Sequence, residues 1–135
     1  MTYRVFIVED HPIMRASYAM LCREMGDVEL CGAAETAEAA LTAVPEAAPD
    51  LVVVDVSLPG MDGIELVPHL LQRQPDLKVL VISGYAESAY ARSALQAGAC
   101  GFVMKGNAEE MMIAMRKVLQ SGFYLSKQVR EQLNR

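Results

Sequence analysis

The chain has 135 residues, which suits one domain able to bury a core without disulfides or structural metals. It is 53% hydrophobic and 21% charged, which excludes a disordered polymer, and the abundance of alanine in the apolar fraction suits helix-rich packing. The formal net charge of −5, from 12 basic and 17 acidic residues, argues against this chain gripping nucleic acid by itself, although a DNA-binding partner domain outside it is not excluded.

Taken in chain order, Val5–Val8 is the first strand-length apolar run. It meets acid at Glu9-Asp10, so it reads as a buried strand and not as a signal peptide. Pro12 stands near a helix start, Met14, Tyr18, Leu21 and Met25 continue at helical spacing, and Gly26 ends the helix. Val28-Glu29-Leu30-Cys31 alternates, as an edge strand does. Thr36 caps a helix carrying Ala37, Leu41 and Val44, which Pro45 is expected to end. Leu51–Val54 and Val79–Ile82 are continuous β-branched runs, the mark of parallel strands covered on both faces. Between them Asp62 caps a helix with Leu66, Leu70 and Leu71, and Pro68 inside it has no compensation visible in the sequence. A further helix is expected from about Ala86 to Gln96, with Gly98 past its end. Cys100–Met104 is the fifth apolar run, and Asn107 with Glu110 opens the helix of Met111, Met115 and Val118. Past Gly122, Ser126 is a cap for a short helix with Val129 and Leu133 on one stripe. No apolar run is long enough to span a bilayer. Cys22, Cys31 and Cys100 lack metal-site spacing and are an odd set, which suits reduced thiols in a cytosolic protein.

Five strands alternating with five helices make a three-layer α/β sandwich with right-handed crossovers. The residues that follow the strands then gather at one edge of the sheet, in the crevice where ligands bind. These are Glu9 and Asp10, Asp55, Ser83 and Lys105. Three carboxylates repel one another unless a cation joins them, and an all-oxygen donor set selects a hard ion such as Mg²⁺. A phosphoryl group fits beside it, with Lys105 supplying charge and Ser83 a hydrogen bond. A carboxylate can serve as the nucleophile, and Asp55 is the central one.

Alone, each of these residues has a plainer use. Asp10 and Asp55 could be helix caps, Lys105 a solvated charge, Ser83 a turn residue and Phe102 ordinary core. His11, next to the acids, could be a proton shuttle or a metal ligand but reads as an exposed loop residue outside the site, and His69 reads as helix surface. Met111, Met112 and Met115 are mostly core. An aspartyl-phosphate phosphatase of the haloacid-dehalogenase type would want D-x-D, and Asp55-Val56-Ser57 lacks the second acid. A flavodoxin would want Gly, Ser and Thr after the first strand, where His11-Pro12-Ile13-Met14 stands.

The acid pair Glu9-Asp10, the segment from Asp55 through Pro59 and Asp62 to Gly63, Ser83, and the stretch Ala97 to Lys105 all keep the order and spacing of one family. Over residues 3 to about 121 the chain resembles the receiver domain of two-component response regulators. The opening Glu9-Asp10-His11-Pro12 and the tail Gly122-Phe-Tyr-Leu-Ser126 resemble the NarL/FixJ (LuxR-type) subfamily. The resemblance implies a flavodoxin-like parallel sheet of five strands in the order 2-1-3-4-5. It implies a receiver over residues 1–122, and in 123–135 the start of a linker helix towards a helix-turn-helix DNA-binding domain outside this chain. Asp55 would accept a phosphoryl group from a sensor histidine kinase. Glu9, Asp10, Asp55 and the Ser57 backbone carbonyl would hold Mg²⁺, and Lys105 would pair with phosphoryl oxygens. Ser83 would be the switch hydroxyl and Phe102 the aromatic that turns inward. Such a protein catalyses at most its own phosphorylation and dephosphorylation, can form a homodimer when phosphorylated, and regulates transcription from the cytoplasm. Gly84 and Gly106 depart from the commoner residues at their positions, the first leaving the pocket open.

Overall fold

The structure is a computed structural model and describes residues 2–84 and 88–134. Its elements alternate as the patterns require: β1 (Tyr3–Val8), α1 (Pro12–Met25), β2 (Val28–Ala34), α2 (Ala37–Ala47), β3 (Leu51–Asp55), α3 (Gly63–Arg73), β4 (Lys78–Ser83), α4 (Ser88–Ala97), β5 (Gly101–Met104), α5 (Ala108–Ser121), β6 (Tyr124–Leu125) and α6 (Lys127–Leu133). The expected start of α4 near Ala86 lies outside the described residues.

Strand alternation divides the core into two. Val5 and Ile7, Leu51 and Val53, Leu80 and Ile82, and Val103 pack with Tyr18, Leu21 and Cys22 of α1 and with Met111, Met115 and Val118 of α5. Phe6 and Val8, Val52 and Val54, Val79 and Val81, and Phe102 pack on the other face with residues of α2, α3 and α4. Both faces of each central strand are buried, which is why these runs are continuously apolar. No described helix is long and apolar enough to cross a membrane.

All strand pairs are parallel, in the order β2-β1-β3-β4-β5-β6. The sheet therefore has six strands, one more than expected. Tyr124 and Leu125 pair with Gly101 and Phe102, and the Tyr124 N–H donates to the Cys100 carbonyl at 3.0 Å. A Cβ at position 101 would collide with the Tyr124 carbonyl, so Gly101 is what allows this sixth strand to approach. Ser126 caps α6 by accepting from the Val129 N–H at 3.3 Å, and Val129 is buried in the core on the α4 side.

Three further caps fall where they were expected. Thr36 accepts from Ala39 N–H at 3.0 Å, Asp62 from Glu65 N–H at 2.8 Å, and Asn107 from Glu110 N–H at 2.9 Å. Pro45 does not end α2, which runs on to Ala47. Its ring removes the donor that the Leu41 carbonyl would have used, and Arg73 Nη1 of α3 reaches that carbonyl at 3.4 Å. Pro68 lies on the exposed face of α3, where water can satisfy the carbonyl four residues back.

Candidate functional site

The carboxyl ends of β1, β3, β4 and β5 deliver the site. β1 and β3 are neighbours, with Val8 opposite Val54, so Glu9 and Asp55 emerge side by side. Gly63 allows the turn after β3 to fold back closely. A Cβ there would overlap the Asp55 carbonyl, and its N–H instead donates to the Val56 carbonyl at 3.0 Å.

Lys105, just past β5, reaches across to both acids. Its Nζ lies 2.8 Å from Glu9 Oε1 and 2.8 Å from Asp55 Oδ2. The Ser57 N–H donates to Asp55 Oδ1 at 3.1 Å. Glu9 and Asp55 are both fully buried. Ser83 is buried at the end of β4, one residue past Ile82, the partner of Asp55 in the sheet. Phe102 is fully buried in the core on the α4 side, away from the acid cluster and already inward.

Two side chains outside the predicted site meet it. His11 was set outside the site, yet its Nδ1 stands 2.9 Å from Glu9 Oε2 and 3.2 Å from Asp10 Oδ1. Arg15, one turn into α1, donates from Nη1 to the Glu9 carbonyl at 2.8 Å and from Nη2 to Glu35 Oε1 at 3.1 Å. It ties the turn after β1 to the turn after β2. The signal for both was their closeness to the acid pair along the chain, but that does not say where a side chain points.

The electrostatics separate the two buried acids. Burial pushes the Asp55 carboxyl up to about 6 against the pull of Lys105, and the Glu9 charge adds to the rise. Burial alone would raise Glu9 as well, but its bonds with Lys105 and His11 outweigh that and hold it below the usual carboxylate value. Burial opposes the charge on Lys105, yet Asp55 and Glu9 outweigh it and its pKa is raised. The bond to Glu9 and the nearby Asp10 charge raise the pKa of His11.

The arrangement carries an excess of negative charge. Glu9, Asp10, His11 and Asp55 offer ligand atoms that all lie within 4.8 Å of one another. Three carboxylates and one ammonium leave a formal charge of −2. Glu9 Oε1 and Asp10 Oδ1 are buried acceptors, the first 2.8 Å from Lys105 Nζ and the second 3.2 Å from His11 Nδ1. A divalent cation would neutralise the cluster and occupy those acceptors.

The family model described as the response regulator receiver domain matches residues 5–117, most of the chain. The chain belongs to the response regulator receiver family. The receiver is 35% identical over 131 residues to the response regulator GacA of Pseudomonas aeruginosa, covering 96% of this chain and 61% of that protein. It is 38% identical over 102 residues to the DNA-binding transcriptional activator DevR/DosR of Mycobacterium tuberculosis, covering 76% of this chain and 47% of that one. It thus spans about three-fifths or less of the length of these two relatives. Among solved structures, a LuxR-family two-component response regulator from Aurantimonas sp. SI85-9A1 superposes with a TM-score of 0.93 at 30% identity, covering 99% of this chain and 96% of that one. The receiver domain of NarL from M. tuberculosis gives 0.82 at 30% identity over 88% of this chain and 97% of that one. Receiver domains generally bind Mg²⁺ at an acidic cluster, and the residues gathered here fit that ion.

Proposed function

We propose that this receiver is a phosphorylation-operated switch with Asp55 as its phosphoacceptor. The observation that carries the reading is the double contact of Lys105 Nζ with Glu9 and Asp55, 2.8 Å each, inside a buried pocket of net negative charge. The lysine holds both carboxylates in place, with Asp55 at the end of β3 between β1 and β4.

Glu9, Asp10 and Asp55, with the Ser57 backbone carbonyl, would hold Mg²⁺, which when bound screens the repulsion between the acids and an anionic phosphoryl donor. An Asp55 carboxylate oxygen attacks phosphorus. The bond from phosphorus to the donor, a phosphohistidine nitrogen of a sensor kinase or the leaving oxygen of acetyl phosphate, breaks as the acyl phosphate forms. Lys105 then pairs with the phosphoryl oxygens and Ser83 donates its hydroxyl to one of them. Hydrolysis by water returns Asp55 and inorganic phosphate, so the domain turns over only its own phosphate.

The same reading assigns the wider partnerships. The donor is a sensor histidine kinase, and Ile13, exposed on the first turn of α1, gives it apolar surface beside the pocket. Phosphorylation favours a homodimer. Residues 1–122 are the receiver, and 123–135 lead towards a helix-turn-helix output domain through which the full regulator meets DNA. The transcriptional activators among the relatives support that assignment. The three free thiols, Cys22, Cys31 and Cys100, suit a cytoplasmic protein.

Phosphorylation should require the metal. Incubation with acetyl phosphate and Mg²⁺, followed by intact-mass spectrometry, is expected to show one added phosphoryl group, and EDTA to abolish it. Undiminished labelling in EDTA would remove Mg²⁺ from the account.

A further inference from the structure

We propose that the cavity between α1 and the start of α5 binds a small neutral aromatic molecule, a single ring bearing a hydrogen-bond acceptor such as a carbonyl oxygen, with the Tyr18 hydroxyl as its donor. Glu9, Asp10 and Asp55 do not line this cavity, and binding there does not depend on Asp55 being the phosphoacceptor.

α1 and α5 lie on the same face of the sheet, where Tyr18 and Leu21 of α1 share an apolar cluster with Met111 of α5, and Met14 packs against it. Between the two helices is a cavity of about 220 Å³, whose walls also include Met104 and Lys105. An apolar cavity of about 150 Å³ holds benzene, so this one has room for one ring with a small substituent. Tyr18 supplies the polar handle. The residue is only 5% exposed, and its hydroxyl makes no hydrogen bond with any described residue. The hydroxyl is not sealed off, so it opens into the cavity that its side chain lines. A buried phenol normally finds a partner. Burial raises the pKa of this one, the charges of Glu9 and Asp55 add to the rise, and the group stays a donor.

The rest of the wall sets the chemical class. Met14, Met104 and Met111 contribute thioether side chains, which adapt in shape and make favourable contacts with aromatic rings. The Lys105 ammonium is already engaged, 2.8 Å from both Glu9 Oε1 and Asp55 Oδ2, so it leaves no free positive charge for an anion. Glu109 and Glu110 in the first turn of α5 disfavour an anion further. A cation finds no carboxylate in the wall. A neutral ring whose oxygen accepts from Tyr18 meets all of these conditions. Its presence would brace the turn from which Lys105 reaches the two acids.

The test is a titration of the full chain with benzamide, a neutral ring with a carbonyl oxygen, followed by NMR of isotope-labelled methionine methyl groups. Toluene, which lacks the acceptor, and cyclohexanecarboxamide, which lacks the aromatic ring, are titrated in parallel. Benzamide at millimolar concentration should give saturable shifts at Met14, Met104 and Met111 and leave Met20 and Met61, which do not line the cavity, unmoved. Tyr18→Phe should weaken benzamide by roughly three- to tenfold, the contribution of one hydrogen bond, and leave toluene unchanged. Ala108→Trp, which fills the cavity from the first turn of α5, should abolish the shifts, so the site is tested even if the Phe variant melts early. Shifts that are absent, or equal at Met20 and Met61, overturn the site. Equal benzamide affinity in wild type and a folded Tyr18→Phe overturns the hydroxyl as donor. Cyclohexanecarboxamide binding as tightly as benzamide overturns the aromatic class.

Discussion

Asp55 carries two opposed demands, and its surroundings show both. It is fully buried, so ionising it costs stability, yet as the proposed phosphoacceptor it would have to ionise to attack a phosphoryl group. Its pKa in the folded protein, about 6, lies above the ordinary aspartate value. A group raised in this way contributes stability that is complete below the unfolded pKa, near 4, and lost as pH rises through the folded one. In EDTA at pH 7 the ionised Asp55 is therefore a burden of order 1–3 kcal/mol. Asp55→Asn is expected to raise the melting temperature by several degrees there, with the gain shrinking below pH 4. Calorimetry across that range checks it, and an Asn variant less stable at pH 7 would mean that the Lys105 pair outweighs the burial. At this same scale the sequence was only partly legible. Residue type and position after a strand pointed to Glu9, Asp10, Asp55, Ser83 and Lys105. His11 is exposed, as read, and its contacts with Glu9 and Asp10 were not legible because only the backbone of the turn decides where an imidazole beside the acids points.

The elements were more legible than the residues, because each carries its own signals. The central strands announce themselves by apolar runs covered on both faces, and Thr36, Asp62, Asn107 and Ser126 cap their helices through hydrogen bonds. What could not be read was tertiary rescue. Pro45 ends a helix unless its orphaned carbonyl finds another donor, and Arg73 from α3 supplies one. β6 was invisible because two residues, Tyr124-Leu125, are too few to form a pattern, and their pairing depends on the bare backbone at Gly101. The consequence is that α6 is bound to the receiver. Val129 is buried against the α4 side of the core, and Arg92 of α4 donates to the Leu133 carbonyl at 3.1 Å. Val129→Ala is expected to cost about 1–3 kcal/mol in chemical denaturation. A neutral result would mean that α6 is detached in solution.

At the scale of the whole molecule, a phosphoryl group on Asp55, as proposed, would have to be felt far from it. α4 is suited to move, since among its described residues Ala91 and Ala94 are the fully buried ones and neither gives a large anchor. Ala86, the first of the small residues assigned to this helix, lies outside the described residues. Ser83 links the pocket to β4, and Phe102 lies one strand away in the core shared with α4. Phe102 is inward in the structure, so phosphorylation is expected to hold it there and to deplete any outward population. β6 and α6 lie directly on β5 and α4, and they would carry that shift towards residue 135. Hydrogen exchange with and without beryllofluoride, a stable phosphoryl mimic, should show protection changes across residues 84–108 and in 123–134. Changes confined to the loops around Asp55 would mean that the signal leaves by another face.

The central claim is that one carboxylate, on Asp55, takes the phosphoryl group. Its most direct test is mass spectrometry of wild type and Asp55→Asn after incubation with acetyl phosphate and Mg²⁺, with peptide mapping of any adduct. The expected result is one phosphoryl group per wild-type chain, located on the peptide that holds Asp55, and none on the variant. A phosphorylated Asp55→Asn chain, or a wild-type adduct mapped to another residue, would contradict it.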